Sequence, residues 1–371
     1  MPPLSADVIV AGAGVVGLAA ARTLAAAGAR VLVVERRRVG AEASSAAAGM
    51  LAPQAGELDS PLLPLALRAR DRHLRLAPEL EDETGIALDL SRLGRLELAF
   101  DEAGEQALRR RVREQSARGL PAADLSAAEL REAEPNVNAA ARAGAYFPGD
   151  RRIDNVRLTR ALAASAVARG ASLLTGRPVT GLLIEHGRVA GVRVGAEALH
   201  ARAVINATGA WAALLGGDPQ PPPVEPVRGQ IVAFEVAPPL LRHVVWSPRG
   251  YLVPRSDGRL LAGSTLEKAG FDKSVTAAGV RAVLDLALEI APGLADVRIA
   301  DAWAGLRPGS ADGHPVVGPG ALPGLFHAAG LYRDGILLGP LVGEEIAAMV
   351  QGRAPQADLA PFAPGRFAHR S

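Results

Sequence analysis

The chain of 371 residues, 49% of them hydrophobic, is long enough for two domains and too apolar for a disordered protein. Its 41 basic and 39 acidic side chains nearly balance and are scattered along the sequence, which excludes the clustered basic surface of a nucleic-acid-binding protein. The absence of cysteine excludes disulfides, thiolate metal sites, a cysteine nucleophile and a cysteine-linked cofactor.

The first predicted elements are a strand, a glycine turn, a helix and a second strand that ends at Glu35. The turn has the sequence Gly12-x-Gly14-x-x-Gly17, in the strand-to-helix context that a dinucleotide-binding motif requires. Its glycines permit a tight turn and let the backbone approach a pyrophosphate, whose charge is favoured at the helix N-terminus. Glu35 would accept hydrogen bonds from ribose hydroxyls and repel a ribose phosphate, which indicates FAD or NAD.

The apolar stretch of this motif is too short to span a bilayer, and it is preceded by Asp7 where a signal peptide would carry a basic segment. No run of about 18 apolar residues occurs elsewhere. We therefore expect a soluble, cytoplasmic protein that has no membrane-spanning segment and no metal site.

The next stretch, SSAAAGM, extends from Ser44 to Met50 and consists almost entirely of small residues; we call it the small-residue loop. A loop directly after the ribose-binding strand would pass beside a flavin ring, and small side chains such as Ala48 and Gly49 would allow close backbone approach. Ser44 and Ser45 could reach phosphate or ribitol hydroxyls, and Met50 would form a soft, polarizable edge of the pocket. The alternative interpretation is the start of an alanine-rich helix.

The middle of the chain alternates helix and strand patterns. Helices are predicted around 62–83, after the capping box at Ser126 and Glu129, and over 155–168, and strands over 187–194 and 203–207. The second strand leads into Ala207-Thr208-Gly209, a closing segment that is usual in FAD-binding Rossmann domains. The sequence contains no second Gly-x-Gly-x-x-Gly motif that could bind a nicotinamide donor. The sequence therefore favours FAD, reduced by the substrate itself and reoxidised by dioxygen or a redox partner.

Five prolines between Pro219 and Pro226 predict a domain boundary. Beyond it the pattern becomes one of strands and hairpins, including a hairpin whose turn is Asp257-Gly258. Helices are predicted at about 276–290 and 336–350. This order predicts an α/β protein in which the chain enters and leaves two domains more than once.

Several segments together resemble the D-amino-acid oxidase family of FAD-dependent oxidoreductases, and within it the glycine oxidases of thiamine biosynthesis. They are the glycine motif, Glu35, the small-residue loop, Trp303-Ala-Gly-Leu-Arg-Pro308 and the segment from Gly330 to Leu338. The resemblance implies a Rossmann-type FAD-binding domain, formed by 1–92, 152–222 and 305–371, and a mostly antiparallel α+β substrate-binding domain, formed by 93–151 and 223–304. Both domains would be discontinuous.

The resemblance also implies the site. Arg307 would hold the substrate carboxylate, Tyr251 would hydrogen-bond the substrate from above, Arg333 would flank it, and Met50 would line its pocket. A guanidinium fork suits a carboxylate, and Arg307 lies in an apolar, rigid segment where an uncommitted arginine would be costly to bury. The residues expected to bind FAD are Gly12, Gly14, Val15, Val16, Gly17, Glu35, Arg36, Ser44, Ser45, Ala48, Gly49, Met50, Val179, Thr208, Gly209, Leu331, Tyr332, Arg333, Asp334, Gly335, Ile336 and Leu337.

The implied reaction is oxidation of glycine or another small amino acid by hydride transfer to non-covalent FAD. The products would be glyoxylate or an α-keto acid, ammonia and hydrogen peroxide, with a role in thiazole synthesis and a homotetrameric assembly. A D-amino-acid dehydrogenase, a sarcosine-type secondary-amine oxidase and a non-catalytic flavin-binding subunit stay open as alternatives. The sequence departs from the usual family pattern at Leu331, Asp334 and Leu266, which affects the expected substrate preference more than the reaction class.

Overall fold

The computed structural model describes residues 5–367. Within them lie two eight-stranded sheets, a two-stranded ribbon and eight α-helices. The strands are β1 Ser5–Ala11, β2 Val31–Val34, β3 Met50–Leu51, β4 Arg95–Ala99, β5 Ala123–Ser126, β6 Ala143–Phe147, β7 Arg151–Arg152, β8 Ser172–Leu174, β9 Val179–Glu185, β10 Arg188–Val194, β11 Glu197–Asn206, β12 Val224–Glu235, β13 Val244–Ser247, β14 Gly250–Pro254, β15 Arg259–Gly263, β16 Ile299–Ser310, β17 Val316–Pro319 and β18 Leu325–Ala329. The helices are α1 Val15–Ala26, α2 Ala43–Ala46, α3 Leu62–Thr84, α4 Glu102–Ala117, α5 Ala127–Ala133, α6 Asn155–Ala168, α7 Ala277–Ile290 and α8 Gly335–Val350.

The first sheet has the order β17-β18-β11-β1-β2-β8, with β9 and β10 extending from β11 as an antiparallel pair. Strands β18, β11, β1, β2 and β8 are mutually parallel. Because parallel strands end at the same edge, the segments after β1, β2, β11 and β18 meet there. The glycine turn, Glu35, Thr208 and Leu331 are thereby brought to one place.

Helices α1 and α8 pack closely against each other over this sheet. A Cβ atom added to Gly343 of α8 would lie 2.6 Å from the carbonyl oxygen of Val16, and one added to Gly339 would lie 2.7 Å from Val15 Cγ1. Only glycine allows this approach, which places the N-termini of both helices at the same edge of the sheet. Helices α3 and α6 complete the hydrophobic core on this face.

The second sheet has the order β16-β12-β15-β14-β13-β4-β6-β5 and is antiparallel except between β13 and β4. Its long pair β12–β16 places Val227 opposite Arg307. Helix α7 covers one face, where Val283, Leu286 and Ile290 join the strand side chains in a separate core. The opposite face is directed toward the first sheet.

The predicted helices and strands occur close to their expected bounds, and the capping box at Ser126 and Glu129 begins α5. Strand β16 continues from Ile299 to Ser310 and so crosses the predicted domain boundary between 304 and 305. The division into two discontinuous domains stays a prediction. Among the described residues, 5–367, no helix combines the length and apolarity needed to cross a membrane.

Candidate active site

A cavity of about 870 Å³ lies between the two sheets, and we call it the central cavity. Its floor comes from the carboxyl edge of the first sheet, the small-residue loop and the start of α8. Its opposite wall comes from strands β12 to β16 of the second sheet. The cavity therefore has a nucleotide-binding motif on one side and the face of a sheet on the other.

The glycine turn has no room for side chains. Gly12 has φ +109°, and a Cβ atom there would lie 2.4 Å from the carbonyl oxygen of Ala207. A Cβ atom on Gly17 would lie 2.1 Å from the carbonyl oxygen of Gly12, so Gly17 keeps α1 against the turn. The resulting backbone lies open to the cavity at the N-terminus of α1, where a pyrophosphate is favoured.

Glu35 is oriented by two backbone donors. Its carboxylate, only 8% exposed, accepts hydrogen bonds from the N–H groups of Ala13 and Arg37, each at 2.9 Å. Next to it, the Arg36 guanidinium lies 3.4 Å from the ring centroid of Trp211 and pairs with Glu42. A buried carboxylate beside a glycine turn and a planar cation–aromatic stack fit the ribose and adenine of a dinucleotide.

The small-residue loop is helical in its first part only, so the helix interpretation holds for that part. Its first part belongs to the single-turn helix α2, and its second part is extended and leads into β3. Ser44 Oγ accepts a hydrogen bond from the N–H of Val15 at 3.0 Å, which joins the loop to the start of α1. Gly49 has φ +75°, and a Cβ atom there would lie 2.0 Å from the carbonyl oxygen of Ile153, so this position requires glycine.

Arg307 projects from β16 into the cavity. Its guanidinium donates to Ser264 Oγ at 2.5 Å and to the Thr265 carbonyl at 3.3 Å, and within the described part of the chain it pairs with no carboxylate. It lies over Gly229, where a Cβ atom would be 2.1 Å from Arg307 Nη1. A fixed cation without a protein anion can accept a carboxylate ligand.

An aromatic wall stands beside this arginine. Tyr251 and Trp246 have ring centroids 6.2 Å apart, and both line the cavity. Trp246 Nε1 donates to Met50 Sδ at 3.2 Å. The centroid of the Trp246 ring lies 4.7 Å from the buried guanidinium of Arg95, and this contact restricts the movement of the ring. Tyr251 and Trp246 therefore form an aromatic part of the cavity wall.

The segment before α8 supplies polar groups to the same cavity. Arg333 is exposed, and its guanidinium lies 5.2 Å from the ring centroid of Tyr332. Burial raises the pKa of the Asp334 carboxyl to about 6, although the charge of Arg333 opposes this. The first residues of α8, Gly335 and Ile336, line the cavity as well, so the positive end of the helix dipole lies there.

Most of the predicted site residues line the central cavity, and three do not. Gly17 lies behind the turn, Ser45 is directed toward Gly40, and Leu337 is buried in the core. Leu266, one of the departures, lines the cavity but is 53% exposed, whereas Leu331 is buried.

Sequence reasoning missed several residues of the cavity: Glu42, Glu97, Trp211, Trp246, Ser264 and Thr265. Trp211 follows the Ala-Thr-Gly segment directly, and tryptophan is rare in this chain, so its position was a usable signal. Ser264 and Thr265 offered none, because only the packing of β15 against β12 brings them to Arg307.

Known proteins resemble this chain in sequence and in fold. Residues 7–349 match the DAO family model, which is described as FAD dependent oxidoreductase. A glycine oxidase from Geobacillus kaustophilus is 40% identical over 96% of this chain and 96% of its own. The bifunctional protein ThiO/ThiG of a Nostoc species is 35% identical over 94% of this chain, which spans 53% of that protein.

Solved structures agree as well. The crystal structure of glycine oxidase from Geobacillus kaustophilus superposes with a TM-score of 0.93 at 37% identity and covers 98% of this chain and 99% of that one. The predicted fold class, FAD cofactor and family are confirmed. The chain belongs to the DAO family of FAD-dependent oxidoreductases.

Proposed function

We propose that the protein catalyses the oxidative deamination of glycine by dioxygen, giving glyoxylate, ammonia and hydrogen peroxide. The observation that carries this is the guanidinium of Arg307, which faces the cavity of an FAD-binding motif with no carboxylate partner among the described residues. The likeness to glycine oxidases over nearly the full chain supports the choice of substrate.

Arg307 holds the substrate carboxylate. Its contacts with Ser264 and Thr265 fix the guanidinium plane before substrate arrives, so little side-chain entropy is lost on binding. Each charge-assisted hydrogen bond contributes about 1.5–3 kcal/mol. Tyr251, whose hydroxyl accepts and donates no hydrogen bond among residues 5–367, adds a polar contact from the same sheet.

The protein's further contribution is positioning and electrostatics. FAD, when bound, supplies the acceptor for the hydride of the α-carbon and passes the electrons to dioxygen. Trp246, Tyr251 and Met50 exclude water from the reacting carbon. The N-terminus of α8 favours negative charge that develops in the cavity. No protein base is required, because orientation supplies much of the rate enhancement.

The same wall selects small substrates. Trp246 contacts Met50 through its Nε1 and Arg95 through its ring face, so the ring cannot move aside without losing both contacts. A substrate side chain on the α-carbon would have to fit the space beside this ring. Glycine, which has none, avoids that conflict.

We place the reaction in the cytoplasm, upstream of thiazole synthesis for thiamine, and expect a homotetramer. The likeness to a bifunctional ThiO/ThiG protein supports the first of these assignments, because a fused chain joins consecutive activities. Light scattering of the purified protein tests the assembly: a mass of four chains is expected, and that of one chain would contradict it.

The test is to purify the protein, confirm a yellow cofactor that acid precipitation releases completely, and follow peroxide with glycine, sarcosine, D-alanine and D-proline. Glycine should give the highest kcat/KM. Little peroxide together with rapid reduction of an artificial acceptor would instead indicate a dehydrogenase. Flavin that no amine bleaches would indicate a non-catalytic subunit.

A further inference from the structure

The small-residue loop is held by its carbonyl groups. Five of them accept hydrogen bonds from other segments. The carbonyls of Ser44 and Ser45 accept from Asn155 Nδ2 at 2.8 and 3.2 Å, and the carbonyl of Ala46 accepts from Trp303 Nε1 at 3.0 Å. The carbonyl of Ala48 accepts from Arg255 Nη2 at 3.0 Å, and the carbonyl of Gly49 accepts from the N–H of Ile153 at 2.9 Å. The loop therefore turns its carbonyl oxygens away from the cavity and toward the protein.

Arg255 is the unusual member of this set. It is 6% exposed, and in the part of the chain that the structure describes its guanidinium meets no carboxylate. Its other bonds go to the Ile153 carbonyl at 3.0 Å and to Asn155 Oδ1 at 2.6 Å. Burial lowers the pKa of Arg255 to about 10, so it is still a cation at neutral pH. Burying an unpaired cation is costly, so a compensating function is expected.

The opposite side of the loop carries unpaired donors. Ala48 and Gly49 are buried residues that line the cavity, and their N–H groups donate to no acceptor among residues 5–367. A buried N–H without a partner costs about 1–3 kcal/mol. These two donors therefore require an acceptor on the molecule that fills the cavity.

The carbonyl that Arg255 binds and the unpaired N–H of Gly49 belong to one peptide unit. The carbonyl of Ala48 and the N–H of Gly49 belong to the same planar trans peptide, so they point in opposite directions. When Arg255 holds the carbonyl, the N–H must point into the cavity. Arg255 also follows β14, the strand that carries Tyr251, so the same segment sets the aromatic wall and the loop that faces it.

We propose that Arg255 is a positioning residue for FAD: it fixes the Ala48–Gly49 peptide so that the Gly49 N–H donates to the flavin ring. This assignment depends on the cavity being the FAD site and does not depend on glycine being the substrate. The bond strengthens as the ring gains electrons, so its loss lowers the reduction potential as well as the affinity.

The test compares Arg255→Lys with Arg259→Lys. Lysine keeps the charge but cannot reach both Ala48 and Ile153. Arg259 lies in the same hairpin, partly exposed and paired with Asp257 at 2.7 Å, so it is the matched control. Titration of the flavin-free proteins should show FAD binding weakened at least about tenfold in Arg255→Lys, with a more negative midpoint potential, and wild-type values in the control.

Wild-type affinity and potential in Arg255→Lys would overturn the proposal, and so would a lower melting temperature with both values unchanged. If Arg255→Lys does not fold, Asn155→Ala, which removes an acceptor of Arg255 and two loop contacts, is judged by the same two measurements. A protein that fails to oxidise glycine but shows these shifts would refute the proposed substrate and support this inference.

Discussion

At the residue scale, we expect the Arg307 guanidinium to decide how tightly the substrate is captured. Arg307→Ala removes the fork, so KM for glycine should rise at least about tenfold, since one charge-assisted bond contributes about 1.5–3 kcal/mol. FAD binding should be unchanged. Steady-state kinetics test this, with Arg298→Ala, an exposed arginine paired with Glu235, as the control. An unaltered KM in Arg307→Ala would remove this arginine from the substrate site.

A second prediction at this scale concerns Asp334. Burial raises the pKa of its carboxyl from 3.8 to about 6, so the folded protein binds this proton more tightly than the unfolded chain does. As the pH rises from about 4 to about 6, ionisation of this carboxyl therefore lowers the free energy of unfolding progressively. Above about pH 6 the free energy of unfolding stays at the lower value. The free energy of unfolding of Asp334→Asn should equal that of the wild type near pH 4 and exceed it by at most about 3 kcal/mol at neutral pH.

Urea denaturation of the two flavin-free proteins across this pH range measures the difference. The variant should also have a higher flavin reduction potential at neutral pH, because it lacks a carboxylate in the cavity. A stability difference that does not vary with pH would show that Asp334 ionises normally.

At the scale of elements, the contact between α1 and α8 sets the floor of the cavity. Gly343→Ala should gain about 1 kcal/mol in helix propensity. The new methyl group would nevertheless lie 2.6 Å from the carbonyl oxygen of Val16 and 2.8 Å from the Ala20 nitrogen. Overpacking of this kind costs about 1–3 kcal/mol, so the variant should be less stable overall and bind FAD less tightly.

Chemical denaturation and FAD titration check this, with Gly293→Ala, where a Cβ atom meets nothing within 4 Å, as the control. The free energy of unfolding of the control should lie within about 0.5 kcal/mol of the wild-type value. If Gly343→Ala proved more stable than the wild type, the helices would have room to move apart.

At the scale of the whole molecule, the segment after β15 joins the second sheet to the nucleotide end of the cavity. Phe271 stacks on Trp211 with ring centroids 5.2 Å apart, and Lys273 pairs with Glu42 at 2.7 Å. An aromatic pair contributes about 0.5–1.5 kcal/mol, so Phe271→Ala should weaken FAD binding about two- to tenfold. Because the contact is remote from Arg307, kcat for glycine should not change.

Fluorescence titration of the flavin-free protein gives this affinity, and Ile299→Ala, which shortens an exposed apolar side chain of the second sheet, is the control. Equal affinities in both variants would mean that the stack does not support the nucleotide.

The sequence predicted those parts of the site that depend on local backbone requirements. The glycine turn, Glu35 and Gly49 were recognisable because a tight turn, a strand end and a positive φ each need particular residues within a few positions. Arg307 was predicted from the resemblance to the D-amino-acid oxidases, and its rigid, apolar segment supported that prediction. Trp246, Ser264 and Arg255 were not recognisable, since their importance comes from which strands become neighbours.

The sequence alone determined the α/β class and FAD as the cofactor, and it predicts that the first strand, turn and helix bind that cofactor. Only the tertiary structure decided that Arg307 faces the cavity with no acidic partner among residues 5–367, and that Arg255 is buried behind the small-residue loop. The physical reason is the distance along the chain over which each feature is determined. Backbone conformation is set by neighbouring residues, whereas the partners of a charge are set by packing between segments such as β16 and β12, which are remote in the chain.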